Sequence, residues 1–170
     1  TIMRDKTEHM PITEQPLPYV GCLDARPLSQ IDLVVMHCTE LPDMAMAREY
    51  GERVLYPSGT GHSGHFYIDR DGSIIRYVPM DRIANHTRGF NPRSIGIEIV
   101  NIGRYPHWLD SRHQAMNEPY TADQRLAVID LLTHLTSELP SLKFIAGHED
   151  LDTEKVPASD NPNALVFRKR

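Results

Sequence analysis

Two histidines, 111 positions apart, each close a short apolar run of the sequence. His37 ends the run over residues 34–37, and His148 ends the run over residues 144–148. Both runs have the composition of a buried β-strand that stops where the chain reaches solvent. Imidazoles at the ends of such strands can converge on one metal ion.

Glu98 is the carboxylate of a third strand-like run, residues 94–101, where it alternates with aliphatic side chains. An unpaired charge at such a position is costly. Two histidines and a nearby carboxylate are the side chains that a hydrolytic zinc site requires. Two other interpretations stay open: a lone histidine on a strand is usually structural, and Glu98 could instead pair internally with Arg93 or Arg76.

The composition is that of one compact domain. A chain of 170 residues with 40% hydrophobic content can bury a core without disulfides. The net charge of -5 argues against a nucleic-acid partner, and no apolar stretch approaches the roughly 18 residues of a membrane-spanning helix. The two cysteines do not make a disulfide framework, and we interpret Cys38 as a core residue. We expect a monomer with neither nucleic acid nor membrane as partner.

The residue pattern predicts an α/β fold, a single layered domain whose mixed central β-sheet is flanked by helices. Residues 1–30 contain four prolines and little periodicity, which predicts an extended N-terminal arm, so the domain proper spans residues 31–170. Helices are expected over residues 43–55 and 121–139. Asp71-Gly72, between two strand-like runs, predicts a β-hairpin. The apolar face of the second helix is predicted to carry Leu126, Ile129, Leu132 and Leu135.

Five motifs in this order resemble the zinc-dependent N-acetylmuramoyl-L-alanine amidases, the family that includes AmpD, phage-lysin amidases and peptidoglycan recognition proteins. The resemblance extends from about Ile31 to Arg170. The motifs are Val-Val-Met-His at 34–37, Ile-Asp-Arg-Asp-Gly at 68–72, Asn-His at 85–86, Ser-Ile-Gly-Ile-Glu at 94–98 and Ala-Gly-His at 146–148.

The resemblance implies a role for each residue that matches a family motif. His37 and His148 are the implied zinc ligands, and Glu98 is the implied catalytic carboxylate of the AmpD branch. The phage branch has a tyrosine at the position of Gly64, so glycine here favours the AmpD-type assignment. Lys169 is the implied catalytic lysine, which supplies positive charge to the oxyanion.

The third zinc ligand of the family is an Asp or Cys two residues after the lysine, so we expect it just after Arg170. Three acids within the sequence could in principle substitute for it: Asp150, Asp152 and Asp160. A site with three protein ligands leaves the fourth position of zinc for water and lowers the pKa of that water to about 7.

The activity implied by the resemblance is hydrolysis of the amide between N-acetylmuramic acid and L-alanine, in peptidoglycan or in muropeptides. His86, Arg88 and Asn91 are predicted to contact sugar hydroxyls or the carboxylate of the stem peptide, or else to be ordinary loop residues. A non-catalytic peptidoglycan-binding module of the same fold is the alternative function, and a zinc peptidase is a more distant one. We expect a cytoplasmic enzyme of cell-wall recycling, or a periplasmic or secreted one if a leader precedes Thr1.

Overall fold

A mixed β-sheet organises the computed structural model, which describes residues 11–168. The strands of this part of the chain are β1 (Ile12–Glu14), β2 (Leu33–Cys38), β3 (Phe66–Ile68), β4 (Ile74–Arg76), β5 (Ser94–Ile99), β6 (Phe144–Gly147), β7 (Lys155–Pro157) and β8 (Leu165–Phe167). Six of them form the sheet in the order β1-β4-β3-β5-β2-β6. The hairpin β3–β4 is antiparallel and the other neighbouring pairs are parallel. β7 and β8 form a separate antiparallel pair.

Three α-helices accompany the sheet within the described residues: α1 (Met44–Glu52), α2 (Ala122–Glu138) and α3 (His148–Leu151). The side chain of Asp43 caps α1 by accepting a hydrogen bond from the backbone N–H of Met46. A capping box between Thr121 and Gln124 begins α2. These features confirm the predicted α/β class and both predicted helices. Between residues 11 and 168 no helix is both long and apolar enough to cross a membrane.

The parallel register decides which side chains share a face of the sheet. His37 of β2 pairs with Glu98 of β5, which in turn pairs with Tyr67 of β3. Residues at the same level of adjacent strands point to the same face, so these three side chains lie next to one another. Ile68 and Ile99 point to the other face, into the core beneath α2. One face of the sheet therefore carries the main core and the other carries the histidine and the carboxylate.

The core face of α2 differs from the predicted one. Leu126 and Ile129 are 62% and 61% exposed, whereas Leu131 is fully buried. Of the predicted set, only Leu132 and Leu135 contact the core. Positions three apart drift around a helix because one turn takes 3.6 residues, so a run of such positions does not stay on one face.

The two histidine-bearing strands have different environments. β2 lies between β5 and β6 and is buried, as predicted. β6 is the edge of the sheet, and its Phe144 and Ile145 are 53% and 58% exposed. The prediction of a buried strand was wrong for β6, because apolar composition alone does not distinguish an edge strand from a central one.

Residues 11–30 contribute to both the sheet and the core. β1 pairs in parallel with β4 at the other edge of the sheet. Leu17, Tyr19 and Leu23 are buried in a second cluster of apolar residues, on the side of the sheet that carries α1. The boundary at residue 30 stays a prediction, but this part of the predicted arm is packed against the domain. Its first ten residues lie outside the described part of the chain.

Candidate active site

His37 and His148 lie side by side at one end of the sheet. Leu33 pairs with Phe144, an offset of 111 residues (144 − 33), and the same offset continued along the strands places His148 beside His37. Their Nδ1 atoms are 3.1 Å apart, and both side chains are buried. Two imidazole nitrogens that face each other this closely could hold one metal ion between them.

Glu98 reaches the same point from β5. Its Oε1 lies 3.9 Å from Nδ1 of His37, and its side chain is 16% exposed. The carboxylate is thus close to Nδ1 of His37 and still open to the cleft. A carboxylate in this position can accept a proton from a water molecule held near the histidines.

Neither arginine that could have neutralised Glu98 is bonded to it. Arg93 forms a bidentate pair with Asp32, and Arg76 pairs with Glu14. Both arginines therefore have other carboxylate partners. The interpretation of Glu98 as an internal ion-pair partner for one of them is not supported.

Alternate residues of β5 explain the motif at residues 94–98. Ser94, Gly96 and Glu98 share the site face of the strand. A Cβ at Gly96 would lie 2.7 Å from the ring of His86, so glycine makes room for that ring against the sheet. Ser94 Oγ lies 3.1 Å from Nε2 of His86. The motif therefore carries the carboxylate and also seats a buried histidine next to it.

His86 lies behind His37 and is suited to orient it. Nδ1 of His86 is 2.9 Å from Nε2 of His37, and Thr87 Oγ1 lies 3.2 Å from the same nitrogen. Burial lowers the pKa of His86 well below its ordinary value, so the ring is neutral and can accept a hydrogen bond. A metal ion bound at Nδ1 of His37 would leave the ring proton on Nε2, and Nδ1 of His86 would then accept a hydrogen bond from it. The predicted substrate contact of His86 stays a prediction.

Asp152 lies behind the second histidine. Its Oδ2 is 3.8 Å from Nε2 of His148 and accepts a 2.6 Å hydrogen bond from Nη2 of Arg168. Burial would raise the pKa of Asp152, but the hydrogen bonds from Arg168 and from the backbone N–H of Glu154, together with the positive charge of Arg168, outweigh burial and hold the pKa below its ordinary value. Sequence reasoning considered Asp152 only as a possible third ligand and missed its place behind His148, although its spacing of four residues from His148 is that of neighbours on one helical turn.

The donor set offers two histidine nitrogens, whereas a zinc site takes at least three protein ligands. Within residues 11–168 no group of three or more His, Cys, Asp or Glu side chains is arranged to hold a metal ion. Asp152 faces the nitrogen of His148 that points away from His37, Asp150 is exposed, and Asp160 bonds to Ser111. None of these acids completes the pair. Lys169 and the predicted third ligand after Arg170 lie outside the described residues.

The histidine pair opens into a cleft with two arms. The larger arm has a volume of about 500 Å³ and the smaller about 350 Å³, and His86, His148 and Arg168 line both. We call the larger the apolar arm, because its wall includes Leu41, Tyr50, Leu55, Trp108 and Leu109. We call the smaller the polar arm, because its wall includes Asn85, Thr87, Arg88, Asn91 and Asp152. An extended substrate can therefore pass the histidine pair with an apolar wall on one side and a polar wall on the other.

The two other predicted substrate-binding residues lie at the polar arm. Arg88 is exposed, and its Nη1 is 3.4 Å from Glu154. Asn91 accepts hydrogen bonds from the backbone N–H groups of His86 and Thr87, so it shapes the loop that carries them. Their contacts with substrate stay predictions.

Tyr67 is a site residue that the sequence did not reveal. Its hydroxyl is 3.0 Å from Ser63 Oγ and accepts a hydrogen bond from the backbone N–H of Gly64. A Cβ at Gly64 would lie only 2.9 Å from Cγ of Glu98, so the loop passes directly against the carboxylate. The place of Tyr67 beside Glu98 depends on strand register, which no local pattern specifies.

Comparison with known proteins gives one family and several similar structures. The family model described as N-acetylmuramoyl-L-alanine amidase matches residues 27–160, which is most of the chain. A search of the curated protein sequences gave no match.

Three solved structures illustrate the similarity of fold. The endolysin amidase LysCS from Clostridium intestinale is 24% identical with a TM-score of 0.66, and the similarity covers 86% of each chain. A selenomethionine derivative of AmpD is 20% identical with a TM-score of 0.66, covering 96% of this chain and 94% of AmpD. The complex of peptidoglycan recognition proteins LCa and LCx with tracheal cytotoxin is 22% identical with a TM-score of 0.63, covering 89% of this chain and 92% of the other.

Proposed function

The chain belongs to the N-acetylmuramoyl-L-alanine amidase family, and from this premise we propose that it uses one zinc ion to hydrolyse the amide between the lactyl group of N-acetylmuramic acid and L-alanine. The observation that carries the proposal is the meeting of two Nδ1 atoms and one carboxylate. His37 and His148 face each other at 3.1 Å, and Glu98 Oε1 lies 3.9 Å from His37.

In this proposal some side chains bind the metal directly and others orient the ones that do. His37 and His148 would hold zinc through Nδ1, and a residue after Arg170 would complete the set. His86 would accept a hydrogen bond from Nε2–H of His37, and the carboxylate of Asp152 would face Nε2–H of His148. These contacts would fix the tautomer and the orientation of each ring. When bound, zinc supplies a Lewis acid that polarises a carbonyl and acidifies water.

The remaining chemistry falls to side chains of the chain itself. Glu98 takes a proton from the attacking water and delivers it to the departing amine nitrogen of L-alanine. Its position on a hydrogen-bonded central strand holds it in place without reorganisation. Lys169 is proposed to stabilise the negative charge that develops on the carbonyl oxygen. The two arms of the cleft are proposed to receive the sugar and the peptide on either side of the amide.

A purified protein assay tests this function directly. The protein is incubated with a muramyl peptide, and the products are identified by mass spectrometry. We expect release of a peptide with a free N-terminal L-alanine, loss of that activity with a chelator, and recovery with added zinc. Comparing an anhydro-muropeptide with polymeric peptidoglycan then assigns the substrate class. A product cut elsewhere in the peptide would indicate a peptidase and would overturn the proposal.

A non-catalytic peptidoglycan-binding module is the second candidate. Two observations support it: residues 11–168 contain no group of three or more His, Cys, Asp or Glu side chains that could hold a metal ion, and the fold is also that of recognition proteins that bind tracheal cytotoxin. Such a module has no use for a carboxylate beside the histidine pair. Zinc-saturated protein that binds muropeptide without cleaving it would establish the binding module instead of the enzyme.

A further inference from the structure

We propose that Arg104 is a positioning residue of the active site, which ties the segment after His37 to the C-terminal strand β8 and so holds that strand near the histidine pair. This inference rests on the proposed function, since it concerns the part of the chain that precedes Lys169 and the proposed third ligand. Arg104 itself contacts neither histidine.

The guanidinium of Arg104 is completely buried and bonded on two sides. Nε and Nη2 donate to the two carboxylate oxygens of Glu40, at 2.7 and 2.8 Å. Nη1 donates to the side chain of Gln114 at 2.9 Å and to the backbone carbonyl of Phe167 at 2.7 Å. The planar fork of arginine allows these bonds at once, and the single ammonium of a lysine could not reproduce them.

Glu40 connects this cluster to the first histidine. It lies three residues after His37, just beyond the end of β2, and its backbone has a φ of +52°. A Cβ at Gly103 would lie 2.4 Å from Cγ of Glu40, so the glycine before Arg104 permits the close approach. The carbonyl of Glu40 also accepts a hydrogen bond from Trp108 of the apolar arm. An uncommon backbone conformation is kept here by the contacts that surround it.

Phe167 connects the cluster to the C-terminal strand. Among the described strands β8 pairs with β7 alone, and a two-stranded ribbon is marginally stable without further attachment. Two adjacent residues supply part of that attachment: the carbonyl of Phe167 is held by Arg104, and the side chain of Arg168 is held by Asp152. Arg104 also binds Glu40, which follows the strand of His37, and Asp152 also lies beside His148. The strand that precedes Lys169 is therefore anchored towards both histidines.

Two variants of the full natural chain test the role of Arg104. Arg104→Lys keeps a cation near Glu40 but cannot hold the carbonyl of Phe167 as well. Glu40→Gln/Arg104→Met removes both charges, so no unpaired buried charge is left to unfold the protein. Arg112→Gln is the matched control, because Arg112 belongs to the same loop but is exposed and pairs with Asp110.

We expect both variants to bind zinc at least tenfold more weakly than the wild type, as is typical when support of a metal site is lost. Hydrogen exchange of the β8 amides should accelerate, while exchange in β2 and β5 should not change. Arg112→Gln should match the wild type in both measurements. Folded variants with wild-type zinc affinity and wild-type exchange in β8 would overturn the positioning role. A wild type that binds zinc but cleaves no muropeptide would overturn the amidase proposal alone, since zinc affinity and exchange would still report on Arg104.

Discussion

Glu98 lies directly beside His37 in the parallel ladder of β5 and β2, with its Oε1 3.9 Å from Nδ1 of that histidine. The carboxylate and the proposed metal ligand therefore stand on adjacent central strands and not on loops. Backbone hydrogen bonds between the strands fix their separation before any ligand binds. Such preorganisation is what a general base beside a metal requires.

The histidine pair should account for zinc binding. His37→Ala removes one of two facing Nδ1 atoms, so we expect loss of stoichiometric zinc after dialysis. His62→Ala is the control, because His62 is exposed and lies in the same cleft, and it should keep zinc. Metal analysis by mass spectrometry measures both. Full zinc occupancy in His37→Ala would show that the ion sits elsewhere.

Gly64 should be needed for the position of Glu98. In Gly64→Ala the new methyl group meets Cγ of Glu98 at 2.9 Å and the carbonyl of Gly96 at 3.1 Å, so the carboxylate must shift. We expect kcat to fall by roughly tenfold or more while zinc binding is unchanged, because a displacement near 1 Å is costly in catalysis. Gly21→Ala is the control, since its methyl group meets no atom within 4 Å. Equal kcat in the two variants would show that Glu98 tolerates the shift.

The buried face of α2 can be tested by a pair of leucines. Leu131→Ala should lower the free energy of unfolding by about 2 to 5 kcal/mol, because Leu131 is fully buried and its truncation leaves a cavity. Leu126→Ala should change it by less than about 0.5 kcal/mol, since Leu126 is 62% exposed. Urea unfolding followed by circular dichroism gives both values. A similar decrease in the free energy of unfolding in the two variants would show that Leu126 belongs to the core face.

His65 should make the metal-free protein less stable in acid. Burial, assisted by the positive charge of Arg26, lowers the pKa of His65 to about 3, whereas an unfolded histidine has a pKa of about 6.5. Between these pH values the unfolded chain binds a proton that the folded chain does not. The free energy of unfolding should therefore fall as pH falls from about 6.5 towards 3, by up to about 1.4 kcal/mol per pH unit from this residue.

Comparison with His65→Gln isolates this contribution. The variant lacks the titrating ring, so its free energy of unfolding should depend less steeply on pH over the same interval. His86 is present in both proteins, and burial, which the substitution leaves in place, is the main cause of its lowered pKa. Urea unfolding at several values between pH 4 and pH 7 gives the slopes. Identical slopes would mean that His65 is not held neutral in the fold.

The site residues that lie at the ends of strands could be predicted from the sequence. The offset of 111 residues between His37 and His148 equals the register between β2 and β6, so histidines that close two adjacent parallel strands come to lie side by side. The hairpin at Gly72, with its φ of +86°, and the capped start of α2 follow equally from local turn and cap chemistry. These features depend on residues close together in sequence or on strand ends.

Features that depend on distant contacts could not be predicted in the same way. Arg104 bonds to Glu40 and to Phe167, 64 and 63 residues away, and no spacing rule connects such positions. Tyr67 reaches the site face only because β3 pairs with β5 in one particular register. The exposed edge of β6 likewise depends on which strand forms the boundary of the sheet, and apolar composition carries no information about that order.

The most direct test of the account is the turnover of Glu98→Gln beside the wild type, with the zinc content of each protein measured in the same preparation. Glutamine has nearly the same shape as glutamate but cannot accept the proton of the attacking water. We predict unchanged zinc content and a kcat for muramyl-peptide hydrolysis reduced by about 10² to 10⁴. Undiminished turnover in zinc-loaded Glu98→Gln would contradict the account, because the base would then have to be another group.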